Sequence, residues 1–259
     1  MQLEVTNDCN LNCRICMRTS RNIGYLDFEN FKRLPLRDFR EVAFHGWGEP
    51  LLHPQLFNMI SYAKSLGLKT SLITNGTIVH KHIDDIFESG LNEIAFGIYT
   101  LKRKEKVIKN LENLVNEKKT RDSKLKIFID ITIFSKNINE IPEIVKLGSD
   151  LGVDGVVLHR IFNLHDDTIS YIDKDEEKKL FKDVKRIKGV KVYLPKKHEI
   201  PCRIVKNCIY VTWDCLQSPC CFLCEFRYFL GEAFGNVIER HMKFVKEMNR
   251  NEICRRCFW

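Results

Sequence analysis

Thr6-Asn7-Asp8-Cys9-Asn10-Leu11-Asn12-Cys13-Arg14-Ile15-Cys16 follows an alternating apolar run at residues 1–5. Three thiols therefore lie within eight residues, just past a predicted strand at residues 2–6. One short loop at that spacing can wrap a metal cluster. It offers three thiolates, where a closed zinc or iron–sulfur site takes four. A cubane of four irons held by three thiolates keeps one iron open to a non-protein ligand.

The other cysteines reinforce this. The chain has eleven: three in this loop, none between Cys16 and Cys202, and eight from Cys202 to Cys257. Scattered core cysteines would not leave such a gap, so two separate metal sites are expected. Residues 1–4 lack the basic and apolar regions of a signal peptide. No apolar run reaches the roughly 20 residues of a membrane span. A cytoplasmic location without membrane association is expected, and there cysteines serve metals more often than disulfides. The 259 residues, 44% apolar and 29% charged, have globular proportions and can bury a sizeable core. The net charge of +8 is too weak a bias to choose among acidic, phosphorylated or nucleic-acid ligands, and a nucleic-acid partner is not expected. The run Lys102-Arg103-Lys104 reads as a solvated helix face.

Downstream of the loop, strand and helix patterns alternate. Strands are predicted at residues 41–44, 69–73, 93–99, 126–134, 155–160 and 190–194. Helices are predicted at residues 27–34, 54–66, 80–89, 104–117, 141–151 and 175–188. Six strand–helix repeats imply right-handed crossovers and a parallel sheet. The predicted fold is α/β, a partial (β/α)6 barrel at residues 1–194 with a small cysteine-rich domain at residues 195–259. In such sheets the chemistry sits at the carboxyl ends of the strands, where each polar motif of this chain falls.

The C-x3-C-x2-C loop resembles the signature of the radical S-adenosylmethionine (radical SAM) superfamily. The resemblance implies that Cys9, Cys13 and Cys16 hold a 4Fe–4S cluster whose open iron binds the amino and carboxylate groups of SAM. Gly46-Trp47-Gly48-Glu49-Pro50 resembles the family's Gly-Gly-Glu-Pro motif, with Trp47 in place of the first glycine. There a strand-end carbonyl and carboxylate can take the ammonium of SAM, and glycine permits close backbone approach. Thr74-Asn75-Gly76 resembles another SAM-contacting stretch. Ile15 stands where relatives pack an apolar or aromatic residue against adenine. Ser135 and Arg160, at two strand ends, are candidates for the SAM ribose and carboxylate, with polar rim residues the competing assignment. Tyr99, His159 and Arg160 are the candidates for a general base, with Tyr99 facing the mouth or lining the core, and His53 reads as a helix-start histidine.

The C-terminal segment resembles the twitch or SPASM-type extension of the family. The resemblance assigns a second, auxiliary 4Fe–4S cluster to Cys202, Cys220, Cys254 and Cys257. Four thiolates also suit zinc, and Cys221 competes with Cys220 as second ligand. Cys215 stands where relatives carry a hairpin glycine, while Cys208 and Cys224 are extra. The eighteen positions from Cys202 to Cys220 look like those of a radical SAM dehydrogenase of aminoglycoside biosynthesis, and peptide and protein maturases carry the same extension. The expected activity is therefore reductive cleavage of SAM to a 5′-deoxyadenosyl radical that abstracts hydrogen from a peptide or protein. The alternatives are oxidation of a small alcohol or metabolite, and a non-catalytic iron–sulfur carrier or scaffold. An electron donor such as ferredoxin or flavodoxin is the expected partner.

Overall fold

The computed structural model describes residues 1–18, 22–162 and 169–257. They form two compact units. One comprises residues 1–72 together with residues 197–257, and the other comprises residues 73–196.

The first unit opens with β1 (Gln2–Leu3), α1 (Phe28–Arg33), β2 (Glu41–Phe44), α2 (Leu56–Ser65) and the first residues of β3 (Lys69–Thr74). The second unit continues with α3 (Ile83–Glu88), β4 (Glu93–Gly97), α4 (Glu105–Thr120), β5 (Lys126–Ile133), α5 (Ile141–Leu151), β6 (Gly155–Arg160), α6 (Lys174–Arg186) and β7 (Val192–Tyr193). The chain then completes the first unit with α7 (Arg203–Asn207), β8 (Tyr210–Val211), β9 (Leu216–Ser218), β10 (Gly231–Glu232), α8 (Val237–Glu247) and α9 (Glu252–Arg256).

In the first unit the strand order is β10-β9-β8-β1-β2-β3. β1 lies parallel to β2 on one side, with Gln2 opposite Ala43, and parallel to β8 on the other, with Gln2 opposite Tyr210. The β8–β9 and β9–β10 pairs are antiparallel. Period-2 alternation puts Leu3, Val42, Phe44 and Leu72 in the core, where they are fully or almost fully buried. Phe31 of α1 meets Phe44 at 6.1 Å and Tyr62 of α2 at 5.9 Å between ring centroids. Asp27 starts α1 by accepting the Asn30 N–H at 3.0 Å.

The predicted strand at residues 2–6 is shorter in the structure. Its partners change after Glu4, whose N–H still donates to Val211 O (2.9 Å). Beyond it the Leu26 N–H donates to Val5 O (2.8 Å), and Thr6 forms an isolated antiparallel bridge with Tyr25. The chain thus leaves the parallel ladder to enter the cysteine loop.

The second unit holds β4-β5-β6-β7, all parallel, with helices as crossovers. Ile127, Ile129, Ile131 and Ile133 of β5 are fully buried, while Phe128 and Thr132, which alternate with them, are half-buried. α5 ends at Gly152 in the left-handed conformation (φ 77°), and Asp173 and Glu176 form a reciprocal capping box at the start of α6. The helix predicted at residues 80–89 begins later, at Ile83. Val79–Lys81 instead form a separate 3-10 turn, closed by the His82 N–H on Val79 O at 2.9 Å.

Candidate active site

The cysteine loop is clamped at its base. Thr6 Oγ1 donates to Gly24 O (2.7 Å) and accepts the Asp8 N–H (3.0 Å). Asn7 exchanges hydrogen bonds with Asn22 O (3.0 Å) and the Gly24 N–H (2.8 Å). Within the loop the Cys16 N–H closes a turn on Cys13 O at 3.0 Å. Two sulfurs accept backbone N–H groups: Cys9 Sγ from Leu11 (3.5 Å) and Cys16 Sγ from Arg18 (3.4 Å). Such bonds stabilise a thiolate and tune a cluster held by it. Burial pushes the Cys16 thiol up and the Arg18 N–H partly offsets this, while Cys13 and Cys9 beside it push it further up. Cys13 is exposed, and Cys9, Ile15 and Cys16 are half-buried.

The segment after β2 is wedged against this loop. A Cβ on Gly48 would lie 2.2 Å from Thr6 O and 2.6 Å from Asp8 O, so only glycine fits there. The Glu49 N–H donates to Asp8 O at 2.7 Å. The Glu49 side chain is buried, and its carboxylate accepts the Leu51 N–H at 3.1 Å, capping the 3-10 turn Pro50–Leu52. Trp47 donates its backbone N–H to Glu4 Oε2 (3.2 Å) and its indole N–H to Cys221 O (2.8 Å). Glu4 also accepts the hydroxyl of the buried Tyr210 at 2.7 Å. His53 is buried and structural: its Nδ1 accepts the Gln55 N–H (3.0 Å), which leaves Nε2–H to donate to Leu26 O (2.8 Å). Burial lowers its pKa, consistent with a neutral ring.

In the second unit Asn75 is half-buried, and its Oδ1 accepts the Thr77 N–H (3.0 Å) and hydroxyl (2.6 Å). Gly76 follows at φ 76°, with Phe96 and Val107 filling the space a side chain would need. Asn110, buried on α4, donates to Gly76 O at 2.7 Å and holds this turn in place. Exposed Ser135 accepts from the Ser170 hydroxyl at 2.9 Å. Buried Asn137 donates to Tyr99 O (3.0 Å) and Thr132 O (2.9 Å), tying two strand ends together. Sequence reasoning missed Asn110 and read the Ser135-Lys136-Asn137 strand end as a SAM contact without seeing Asn137 as a support, because a buried asparagine carries no local pattern.

Arg160 gives its Nε–H to Glu177 Oε1 and an Nη1–H to Lys196 O, both at 2.6 Å. His159 Nε2 lies 2.9 Å from Asp130 Oδ2. Burial lowers the His159 pKa, but the Asp130 charge and hydrogen bond together outweigh it, and the net shift is upward. The pair therefore contributes stability below the ordinary histidine range that is lost as pH rises through the raised value. Proton NMR titration is expected to show the His159 ring titrating above its ordinary range, and Asp130→Asn to bring it to or below that range.

Seven of the eight C-terminal cysteines fall into two groups, with Cys215 apart. Cys254 sits in a small apolar core with Val205, Leu223, Val245 and Met248, against which Cys202 and Cys220 pack. Cys202 N–H donates to Met248 Sδ (3.2 Å), and Asn251 caps α9 by accepting the Cys254 N–H (3.0 Å). The Cys254 thiol is pushed up to about 12 by burial first and then by Cys257 and Cys202 beside it. Cys220 is pushed up by burial, then by Cys221, Cys254 and Cys257. Cys221 instead responds, after burial, to Cys224 and Cys208. Cys215 has φ 60°, a left-handed position that glycine normally takes, and closes a turn on Thr212 O (2.9 Å).

The family model described as "Radical SAM superfamily" matches residues 3–178. The chain belongs to the radical SAM superfamily. Its α/β fold with parallel strands agrees with the solved radical SAM structures below, and the chain is accordingly an enzyme whose family uses a 4Fe–4S cluster and SAM. A tungsten-containing aldehyde ferredoxin oxidoreductase cofactor-modifying protein of Pyrococcus furiosus is 24% identical, covering 93% of this chain and 79% of that protein. Streptococcus suis SuiB bound to precursor peptide SuiA matches with a TM-score of 0.72 at 14% identity, covering 92% of this chain; this chain spans 63% of SuiB. BtrN in complex with AdoMet and 2-DOIA matches with a TM-score of 0.61 at 16% identity, covering 99% of this chain and 91% of BtrN.

Among the described residues no three His, Cys, Asp or Glu side chains are gathered closely enough to hold a metal ion as they stand. The fit to the family's cluster lies in the donor set. Three neighbouring soft thiols on one clamped loop, two already accepting N–H bonds, match what an iron–sulfur site takes. A bound cationic centre would favour the thiolate of Cys16, which burial pushes the other way. Among the described residues, no helix is long and apolar enough to cross a membrane.

Proposed function

We propose that this radical SAM enzyme takes a hydrogen atom from a peptide or protein substrate, and that an auxiliary 4Fe–4S cluster in its C-terminal segment assists oxidation or binds substrate. The observation that carries the reading is the presence, in one compact unit, of a three-thiol loop locked by Gly48 and a separate set formed by Cys202, Cys220, Cys254 and Cys257. Residues 1–194 would carry the SAM chemistry, and residues 195–259 would form a twitch- or SPASM-like domain for the auxiliary site.

When bound, the reduced cluster and SAM supply a 5′-deoxyadenosyl radical. Cys9, Cys13 and Cys16 hold the cluster. Since the Glu49 carboxylate is engaged by Leu51, the strand-end backbone around Gly48 and Glu49 is the group offered to the SAM ammonium. Ile15 offers apolar contact to adenine. Asn75 and Ser135 present polar edges at strand ends, and Arg160 takes part through the N–H groups that Glu177 and Lys196 do not use. A ferredoxin or flavodoxin would deliver the electron.

The peptide substrate is supported by SuiB, solved with a precursor peptide. Oxidation of a small alcohol is the second reading, supported by BtrN, solved with 2-DOIA and matched along nearly its whole length. The test is anaerobic reconstitution, iron and sulfide counts, and a 5′-deoxyadenosine assay with dithionite, comparing wild type with Cys9/Cys13/Cys16→Ala. About eight irons are expected in the wild type and about four in the variant, with SAM cleavage lost. About four irons with one zinc, cleavage intact, would remove the auxiliary cluster. Doubly loaded wild type that cleaves no SAM, with or without candidate substrates, would leave the iron–sulfur carrier.

A further inference from the structure

The family motif carries glycine where this chain has Trp47, and a glycine has no side chain to reach anything. Trp47 contacts the first cysteine loop and, on its other side, the residues next to Cys220. On one side its carbonyl faces Cys16 Sγ at 4.0 Å. On the other its indole N–H donates to Cys221 O at 2.8 Å, and its ring meets Phe222 at 6.0 Å between centroids. Cys221 is covalently next to Cys220, which packs with Cys202 on the apolar core containing Cys254.

The residues around Trp47 are tied to the first cysteine loop and to the strand beside it. Gly48 is jammed against Thr6 O and Asp8 O, and the Glu49 N–H is bonded to Asp8 O, so this segment and the first cysteine loop move together. The Trp47 N–H is fixed on Glu4, which the buried Tyr210 hydroxyl holds in turn. A shift of the chain at residues 220–222 therefore pulls on the indole, and through it on the strand end proposed to receive SAM.

We propose that Trp47 is a positioning residue that couples the two sites, so that occupancy of the C-terminal site sets how tightly the N-terminal site holds SAM. The inference rests on the SAM and auxiliary-site reading above and adds to it the route of communication. Coupling of this kind is reciprocal: bound SAM also favours retention of metal in the C-terminal site.

The test is a double-mutant cycle on reconstituted protein, with SAM affinity measured by anaerobic equilibrium dialysis. The four proteins are wild type, Trp47→Phe, Cys254→Ala/Cys257→Ala and the combination. With Trp47 present, removal of the two cysteines is expected to weaken SAM binding about three- to tenfold, the scale of one hydrogen bond. In the Trp47→Phe background the same removal is expected to change affinity by less than about twofold. An equal factor in both backgrounds, or none in either, would overturn the coupling while leaving the enzyme reading intact. Fully loaded wild type that binds no SAM would overturn both. If Trp47→Phe fails to load its first cluster, the Trp47 indole N–H resonance in 15N-labelled protein takes its place. It is expected to shift between wild type and Cys254→Ala/Cys257→Ala, and an unmoved resonance overturns the proposal.

Discussion

Gly48→Ala is expected to weaken SAM binding by about a hundredfold and to strip iron from the N-terminal loop. The added methyl would sit 2.2 Å from Thr6 O and 2.6 Å from Asp8 O, well inside contact distance of two backbone carbonyls. A flexible side chain could swing away, but these carbonyls belong to the base of the cysteine loop. Thr6 is held on Gly24, and Asp8 is held by the Thr6 hydroxyl and the Glu49 N–H. Relief requires the loop and the strand end to separate. The expected cost is about 3 kcal/mol, in the upper range for overpacking, and it falls on the geometry proposed to bind SAM. Equilibrium dialysis and iron counts check this; native SAM affinity in Gly48→Ala would show that the segment is slack.

Cys254→Ala is expected to lower iron from about eight to about four per chain while SAM cleavage persists and substrate turnover stops. Cys254 lies at the centre of its group: it is buried, it sits in the apolar core against which Cys202 and Cys220 pack, and its amide is fixed by Asn251. Removing its sulfur leaves three thiolates around a site proposed to need four. Cys215→Ala provides the contrast. That residue sits at a left-handed turn position and responds to Asp214, Arg33 and Asp27 rather than to the four-thiol set. Its replacement is expected to leave the iron count unchanged. Equal iron loss in both variants would remove the assignment of Cys254 as a ligand.

Much of this was legible because it is local. The predicted bounds of β2, α5 and β6 coincide with the structure, since alternation, a helical proline at the first turn and a terminal glycine are all written within a few residues. The division of the cysteines between two chain ends was equally plain. The hairpin position of Cys215 was readable from the place glycine occupies in relatives, and its positive φ is the physical counterpart.

What stayed hidden depends on distant residues. Adjacent Cys220 and Cys221 cannot be told apart by spacing, yet they respond to different neighbours: Cys254 and Cys257 for one, Cys224 and Cys208 for the other. Arg160 is legible as a strand-end arginine, but the hold of Glu177, 17 residues on, over its Nε–H is not. The turn-capping bond of the Glu49 carboxylate to the Leu51 N–H was not legible either. The substitution of Trp47 for glycine was visible, but its bond to Cys221, 174 residues away, was not.

The position of β1 between β2 and β8 bears on how the protein is made. The Gln2 and Glu4 amides donate to Ile209 O and Val211 O, and the carboxylate of Glu4 waits for a tyrosine 206 residues later. A ribosome adding about 5–20 residues per second leaves that strand edge unpaired for tens of seconds. Unpaired edges are templates for pairing with other chains, and contacts of such long range form slowly. The cysteine loop hangs from this same strand. Its surroundings include Tyr210 and Cys221, so they are completed only after those residues have been synthesised, late in translation.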